Sequence, residues 1–238
     1  MSSKLFKFAN DNLLLTIGGW HYCRNHKLLF AMDRRERFVI TVNRQFGTGG
    51  HEIAAELAKR LEVKLIDKQI LTAVAHKFNL TESEAAELEN KRPSWWEDFS
   101  MFYKSFVSVN EYKVVEREVT SRQLFYAQAS EMKRIAEEES CVVVGRCGFD
   151  VFKAHPNKLR IFLHSSLDRR IARIMERYDV DEEKARILIE DNDYTRELYT
   201  KTFTGKDWYD SRNYDIALDV TKFGVNGAVD FLMRFIDE

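Results

Sequence analysis

A short apolar run that empties into four residues containing three glycines constrains this chain more than any other stretch. Phe38, Val39, Ile40 and Val42 suit a buried strand, and Ile53, Leu57 and Leu61 recur at helical spacing. Between them lies Gly47-Thr48-Gly49-Gly50. Glycine leaves main-chain N–H groups uncrowded, and a helix start adds unpaired amides and a positive dipole end. Strand, glycine turn and helix in that order predict a backbone receptacle for anionic oxygens. A tight turn with no ligand would leave the same residues, so the surrounding charges must decide.

The pattern repeats along the chain. Val63–Asp67 predicts a second strand, Ser140–Gly145 a third, Leu159–His164 a fourth and Tyr214–Val220 a fifth. Helical stretches separate them: one opens near Glu52, another runs from Glu116 to Glu137, and others follow Leu167, Asp179 and Val225. Strands alternating with longer helices predict an α/β fold, a five-stranded parallel sheet flanked by helices in three layers. Residues 1–35 read as an N-terminal extension carrying a short hairpin or amphipathic element. Residues 36–238 read as the main domain, with 76–114 a helical substrate-side insertion and 193–212 a lid-like region. Thr81–Glu84 has the form of a capping box, and Pro93–Tyr103 is crowded with aromatics that suit either a core or a lid.

Composition removes several classes. Net charge is −1, from 37 basic and 38 acidic residues, which argues against a nucleic-acid surface but permits a local cationic pocket. Cys23, Cys141 and Cys147 fit neither a disulfide framework nor zinc spacing, and no side-chain metal site is expected. No apolar run approaches the roughly 18 residues of a membrane span. The expectation is therefore a cytoplasmic location without membrane attachment, with a homodimer possible.

In an open α/β sheet the ligand lies beyond the carboxyl ends of the strands. Arg44, Asp67, Arg146 and His164 fall at or near those ends, and the first three are expected to converge. Arg44 directly precedes the glycine turn and can bring charge to it. His51 lies in the helix's first turn. Arg146 offers a planar, permanently charged fork for phosphate or for a carboxylate. Asp193 and Arg196 share a helix face and suit adjacent groups of one ligand, although an intrahelical ion pair has the same spacing. Arg169, Arg173 and Arg177 share another face, where one or two of them can touch an anion.

These residues resemble the cytidylate-kinase-like family of the P-loop nucleoside monophosphate kinases. The resemblance spans about Phe38 to Ile236 and rests on four segments, Ile40–Ile53, Val142–Gly148, Leu159–His164 and Tyr199–Trp208. It implies ATP-dependent, magnesium-assisted phosphoryl transfer, with CMP or dCMP the first acceptors to consider. By that resemblance Gly47, Thr48, Gly49, Gly50 and His51 would hold donor phosphates. Asp67, Lys68, Arg146, Asp193 and Arg196 would address the acceptor, with Arg44, Arg146, Arg196 and Lys206 supplying charge to the reaction. The chain departs from the family where the loop carries Lys and then Ser, Thr or Gly-Thr, because Gly50-His51-Glu52 stand there instead. It also lacks the Gly and Arg expected after Asp67, and Cys147 replaces an acid. The rival expectations are a nucleotide-binding regulator without turnover and a kinase for a different small acceptor.

Overall fold

The computed structural model describes residues 15–17, 20–22, 32–67, 70 and 121–237. The expected insertion at 76–114, its capping box and aromatic run, and Lys68 lie outside the described residues. In the N-terminal part, β1 (Leu15–Ile17) and β2 (Trp20–Tyr22) form an antiparallel pair, with Thr16 opposite His21.

The main sheet begins with β3 (Val39–Arg44), every residue of which is buried. β4 (Lys64–Ile66), β5 (Cys141–Val144), β6 (Lys158–His164) and β7 (Ile216–Asp219) complete it. The spatial order is β4-β5-β3-β6-β7, with each pair parallel. The chain therefore leaves the central β3 for the sheet's edge, returns as β5, and crosses to the other side as β6. That reversal opens a crevice at the carboxyl end of β3, where ligands bind in such sheets.

Alternation along the strands assigns the two layers of helix. Ile40, Val42, Val142, Val144, Ile161 and Leu163 form one core with α1 (Gly50–Arg60) and, by way of Ala228, Val229 and Leu232, the last helix, Gly224–Asp237. On the opposite face Val39, Cys141 and Val143 pack against α2 (Ser121–Glu138) through Ala129, Met132 and Ile135. Helix α3 (Gly148–Val151) follows β5 directly. A Cβ on Gly148 would lie 3.2 Å from Val143 and 3.3 Å from Thr41, so glycine permits this close approach.

Two further helices cover the crevice end, α4 (Leu167–Tyr178) and α5 (Glu182–Thr204). The Asp181 side chain caps α5 by accepting from the Lys184 amide, and Gly205 at φ 72° ends it. The last helix is α6 in this numbering. The expected α/β fold, a five-stranded parallel sheet between helices, is thus the fold observed. Sequence reasoning placed the strands within about two residues but gave no account of α3. Residues 193–204 of the expected lid are the second half of α5, and Ser211–Asn213 form a 3₁₀ turn.

Ile161 has no exposed surface at the middle of the sheet. Ile161→Ala should cost roughly 2–5 kcal/mol through lost burial and residual cavity. Urea unfolding checks this, as a lower midpoint at unchanged slope.

Candidate functional site

The glycine corner spans Gln45 to Gly49, between β3 and α1. Gly47 and Gly49 have φ of 82° and 77°, left-handed values that a side chain would strain. Gly49 caps α1 without any side-chain hydrogen bond, and the first helical bond runs from the Ile53 amide to the Gly49 carbonyl. Among the described residues, the amides of Gly49, Gly50, His51 and Glu52 donate to no backbone or side-chain oxygen. Thr48 turns its hydroxyl inward, donating to the Gln45 carbonyl at 2.8 Å. What remains at the corner is a row of N–H donors and a helix dipole.

Helix α5 holds this corner in place. Its buried face carries Asn192, Asp193, Thr195, Arg196 and Thr200, an unusually polar set for an interior surface. Asp193 accepts the Phe46 amide at 2.7 Å through Oδ1, while its Oδ2 receives Arg170 at 2.5 Å. Arg196 donates to the Arg44 carbonyl at 2.6 Å, lies 3.6 Å from Asp193, and sits over the Phe46 ring. The resemblance assigns Asp193 to an acceptor sugar; here both of its oxygens are engaged by the loop and by arginines. Burial, then the like charge of Arg44, pushes the Arg196 guanidinium well below its ordinary value. An incoming anion would relieve that destabilised charge.

A cavity of about 220 Å³ opens beside the corner, bordered by Arg44, the glycine loop, His51, Asp67 and Arg196. His51 Nδ1 lies 2.9 Å from Asp67 Oδ2. Burial acts to raise the Asp67 carboxyl, but the His51 hydrogen bond and the charges of Arg44, His51 and Arg146 outweigh it. Asp67 is therefore held below the usual carboxylate range and stays ionised. Arg44 is buried as well. Burial and then Arg146 press its guanidinium downward, against the opposing pull of Asp67 and Asp193. Arg44 and Asp67 thus border one cavity, whereas Arg146 borders neither cavity and acts on the two through its charge.

Arg146 stands in a run of left-handed backbone. Gly145, Arg146 and Cys147 have φ of 69°, 53° and 53°, and the Gly148 amide closes the turn on the Gly145 carbonyl at 2.9 Å. Two consecutive non-glycine residues in that region store strain at a strand end that faces the crevice. Cys147 is buried and its thiol is pushed up to about 12 by burial, which leaves it inert as a nucleophile.

On the other side of the loop a second cavity of about 250 Å³ is bordered by Gly47, Thr48, Arg169, Arg173, Thr221 and Val225. Glu52, which borders the first cavity with Arg177, pairs with Arg177 at 2.8 Å and with Arg173 of the second. The remaining candidates lie apart. Lys206 pairs with Asp150 at 2.9 Å and covers the Phe149 ring, away from both cavities. His164 ends β6 beside Asp219 rather than in the crevice.

Residues 39–222 match the Cytidylate kinase-like family. This chain belongs to that family. No curated protein matches the sequence. Among solved structures, an uncharacterized protein from Eubacterium ventriosum ATCC 27560 is 26% identical, with a TM-score of 0.63 over 85% of this chain and 99% of that one. A shikimate kinase from Bacteroides thetaiotaomicron is 11% identical, with a TM-score of 0.47 over 84% of this chain and 99% of that one. A gluconokinase from Sinorhizobium meliloti 1021 is 16% identical, with a TM-score of 0.46 over 85% and 96%.

For this cytidylate-kinase-like chain, sequence reasoning grouped Arg169, Arg173 and Arg177 but gave Arg170 no role. Arg170 is buried with Ile171 and Ile174 on the inward stripe of α4. A charged residue on that stripe is the signal that a buried partner exists, and Asp193 is the partner. Phe46, whose amide and ring both serve the clamp, carries no comparable signal.

Arg146→Gly should be more stable than Arg146→Ala by roughly 0.5–1 kcal/mol, because only glycine relieves the left-handed backbone; thermal melts compare them. Asp67→Asn should lose stability at neutral pH. Because the folded carboxyl lies below its unfolded value, the contribution is full above the unfolded value and vanishes as pH falls through the folded one. Urea titrations from pH 7 downward should therefore show wild type and variant converging below the usual carboxylate range.

Proposed function

We propose that this chain is an ATP-dependent phosphotransferase, with CMP or dCMP as its first acceptor to test. The observation that carries the reading is the row of uncommitted amides at the glycine corner, flanked by the buried cations Arg44 and Arg196. Main-chain donors and destabilised arginine charge on one concave surface match a polyphosphate better than any neutral ligand. The cavities on either side of the loop supply separate places for donor and acceptor.

In the proposed reaction an acceptor oxygen bonds to the terminal phosphorus of ATP as its bond to the bridging oxygen breaks, leaving ADP. An ionised phosphate acceptor needs no proton removed. The protein's part is alignment and charge, since phosphoryl transfer asks for little covalent help. The loop amides hold donor oxygens, and Arg196 and Arg146 balance charge on the acceptor side. Asp67 is the ionised oxygen beside the loop that a magnesium ion carried with the donor would address, directly or through water. That ion supplies charge to the phosphate oxygens when bound.

A second reading, a regulator that binds nucleotide without turning it over, is favoured by one observation. Gly50 occupies the place where related loops carry a lysine.

Incubation with ATP, magnesium and a panel of CMP, dCMP, UMP, AMP and small hydroxyl compounds tests both, with products weighed by mass spectrometry. CMP-dependent ADP formation is expected, and Arg196→Ala should lower kcat/KM by about 100-fold, the scale of losing one aimed electrostatic donor. Binding of ATP with no phosphorylated product across the panel selects the regulator.

A further inference from the structure

We propose that Arg44 and Gly50 form one functional unit, in which the arginine at the end of β3 takes over the phosphate-binding duty of the missing loop lysine. This inference rests on the phosphotransferase reading. It explains why position 50 has no side chain at all, rather than another cation.

The argument begins with space. A Cβ built on Gly50 would lie 2.6 Å from Arg44 Cγ and 2.7 Å from Arg44 Cβ. Real carbon atoms do not approach so closely. The atoms in the way belong to the root of the arginine, which cannot swing aside while its head keeps its place. Any residue larger than glycine at position 50 thus excludes the present course of Arg44. The head of the same arginine makes a second demand. Its Nη1 lies 2.5 Å from where a Cβ on Gly145 would stand. Glycines on two separate elements, the start of α1 and the end of β5, clear a passage for one side chain.

Such clearance has a cost in local stability. Gly50 is the first residue of α1, and glycine is a poor helix former compared with alanine. An arginine needed only to fill space would not require it, because an aliphatic side chain at either position would fill the gap. Arg44 borders the cavity beside the open amides, with its head at the end of β5. Arginine suits the task, since its fork reaches two phosphate oxygens and it keeps its charge where a buried lysine would tend to lose it. A lysine at position 50 would reach the donor from the helix; Arg44 reaches it from the strand.

The test is a set of variants read by calorimetric titration with MgATP and with magnesium tripolyphosphate, alongside thermal melts. Arg44→Met keeps most of the stem and should weaken binding of both probes by about 10- to 100-fold, the range for one charge-assisted contact. Gly50→Ala keeps the arginine but displaces it, so it should weaken binding comparably and lower the melting temperature despite the better helix former. Combining Gly50→Ala with Arg44→Gly, which removes both obstructing carbons, should weaken binding no further than Arg44→Gly alone. The double variant Arg44→Gly/Gly50→Lys should recover most of the lost affinity. The proposal is overturned if Arg44→Met binds within about threefold of wild type, if the effects of Arg44→Gly and Gly50→Ala add, or if the lysine double variant binds no better than Arg44→Gly. A wild-type chain that binds neither probe removes the phosphotransferase reading and this inference with it, whereas normal wild-type binding with unaffected variants removes this inference alone.

Discussion

The arrangement depends on a buried clamp between α5 and the glycine corner. Asp193 holds the Phe46 amide and Arg170, while Arg196 holds the carbonyl of Arg44. Each charged group has a charged or backbone partner, which is what makes burial of an aspartate and two arginines tolerable. Without the aspartate, Arg170 and Arg196 would face each other across a dry interior. With it, Phe46 of the loop and Arg44 at the end of β3 are fixed where the chain enters the corner. The amides beyond them are left exposed to the crevice, and their freedom depends on that anchorage.

The same cluster carries more positive than negative charge around the corner. Arg44, Arg146, Arg170 and Arg196 gather about Asp67 and Asp193, and burial acts against the charge on Arg44 and Arg196. A protein selected for stability alone would dilute such a group, because like charges at low dielectric repel strongly. The strained turn at Gly145-Arg146-Cys147 points the same way. Both features are local concessions at the one end of the sheet where the topology opens a crevice, and both concern cations. An anion is the ligand that would make sense of them.

Much of this was legible in the residues. The strands announced themselves because parallel sheets buried on both faces leave continuous apolar runs, as in Phe38–Val42 and Cys141–Val144. The glycine corner was equally plain, since Gly47 and Gly49 serve backbone conformations that other residues avoid. The long α5 was harder to read. Its buried face is polar, so hydrophobic spacing stops marking it after Ile189, and Asp193–Arg196 looked like ligand contacts or a simple ion pair. The helix pairing of Asp193 with Arg170 crosses two elements and leaves no local trace. Neither does the passage of Arg44 over Gly50, which is a matter of volume rather than of residue type. Lys206 shows the reverse case: a cation near a family-like motif whose carboxylate partner, Asp150, lies far off in sequence.

Helix α5 has one more consequence. It is an unbroken rod of 23 residues, anchored to the glycine corner near its middle. Farther along, Tyr199 and Phe203 pack against Phe125 of α2, with the Phe203 ring stacked 4.6 Å from it. A rigid rod fastened at two points transmits displacement from one to the other. Loosening the aromatic end should therefore be felt in how tightly the distant corner grips an anion, so that α2 and the loop behave as opposite arms of one lever.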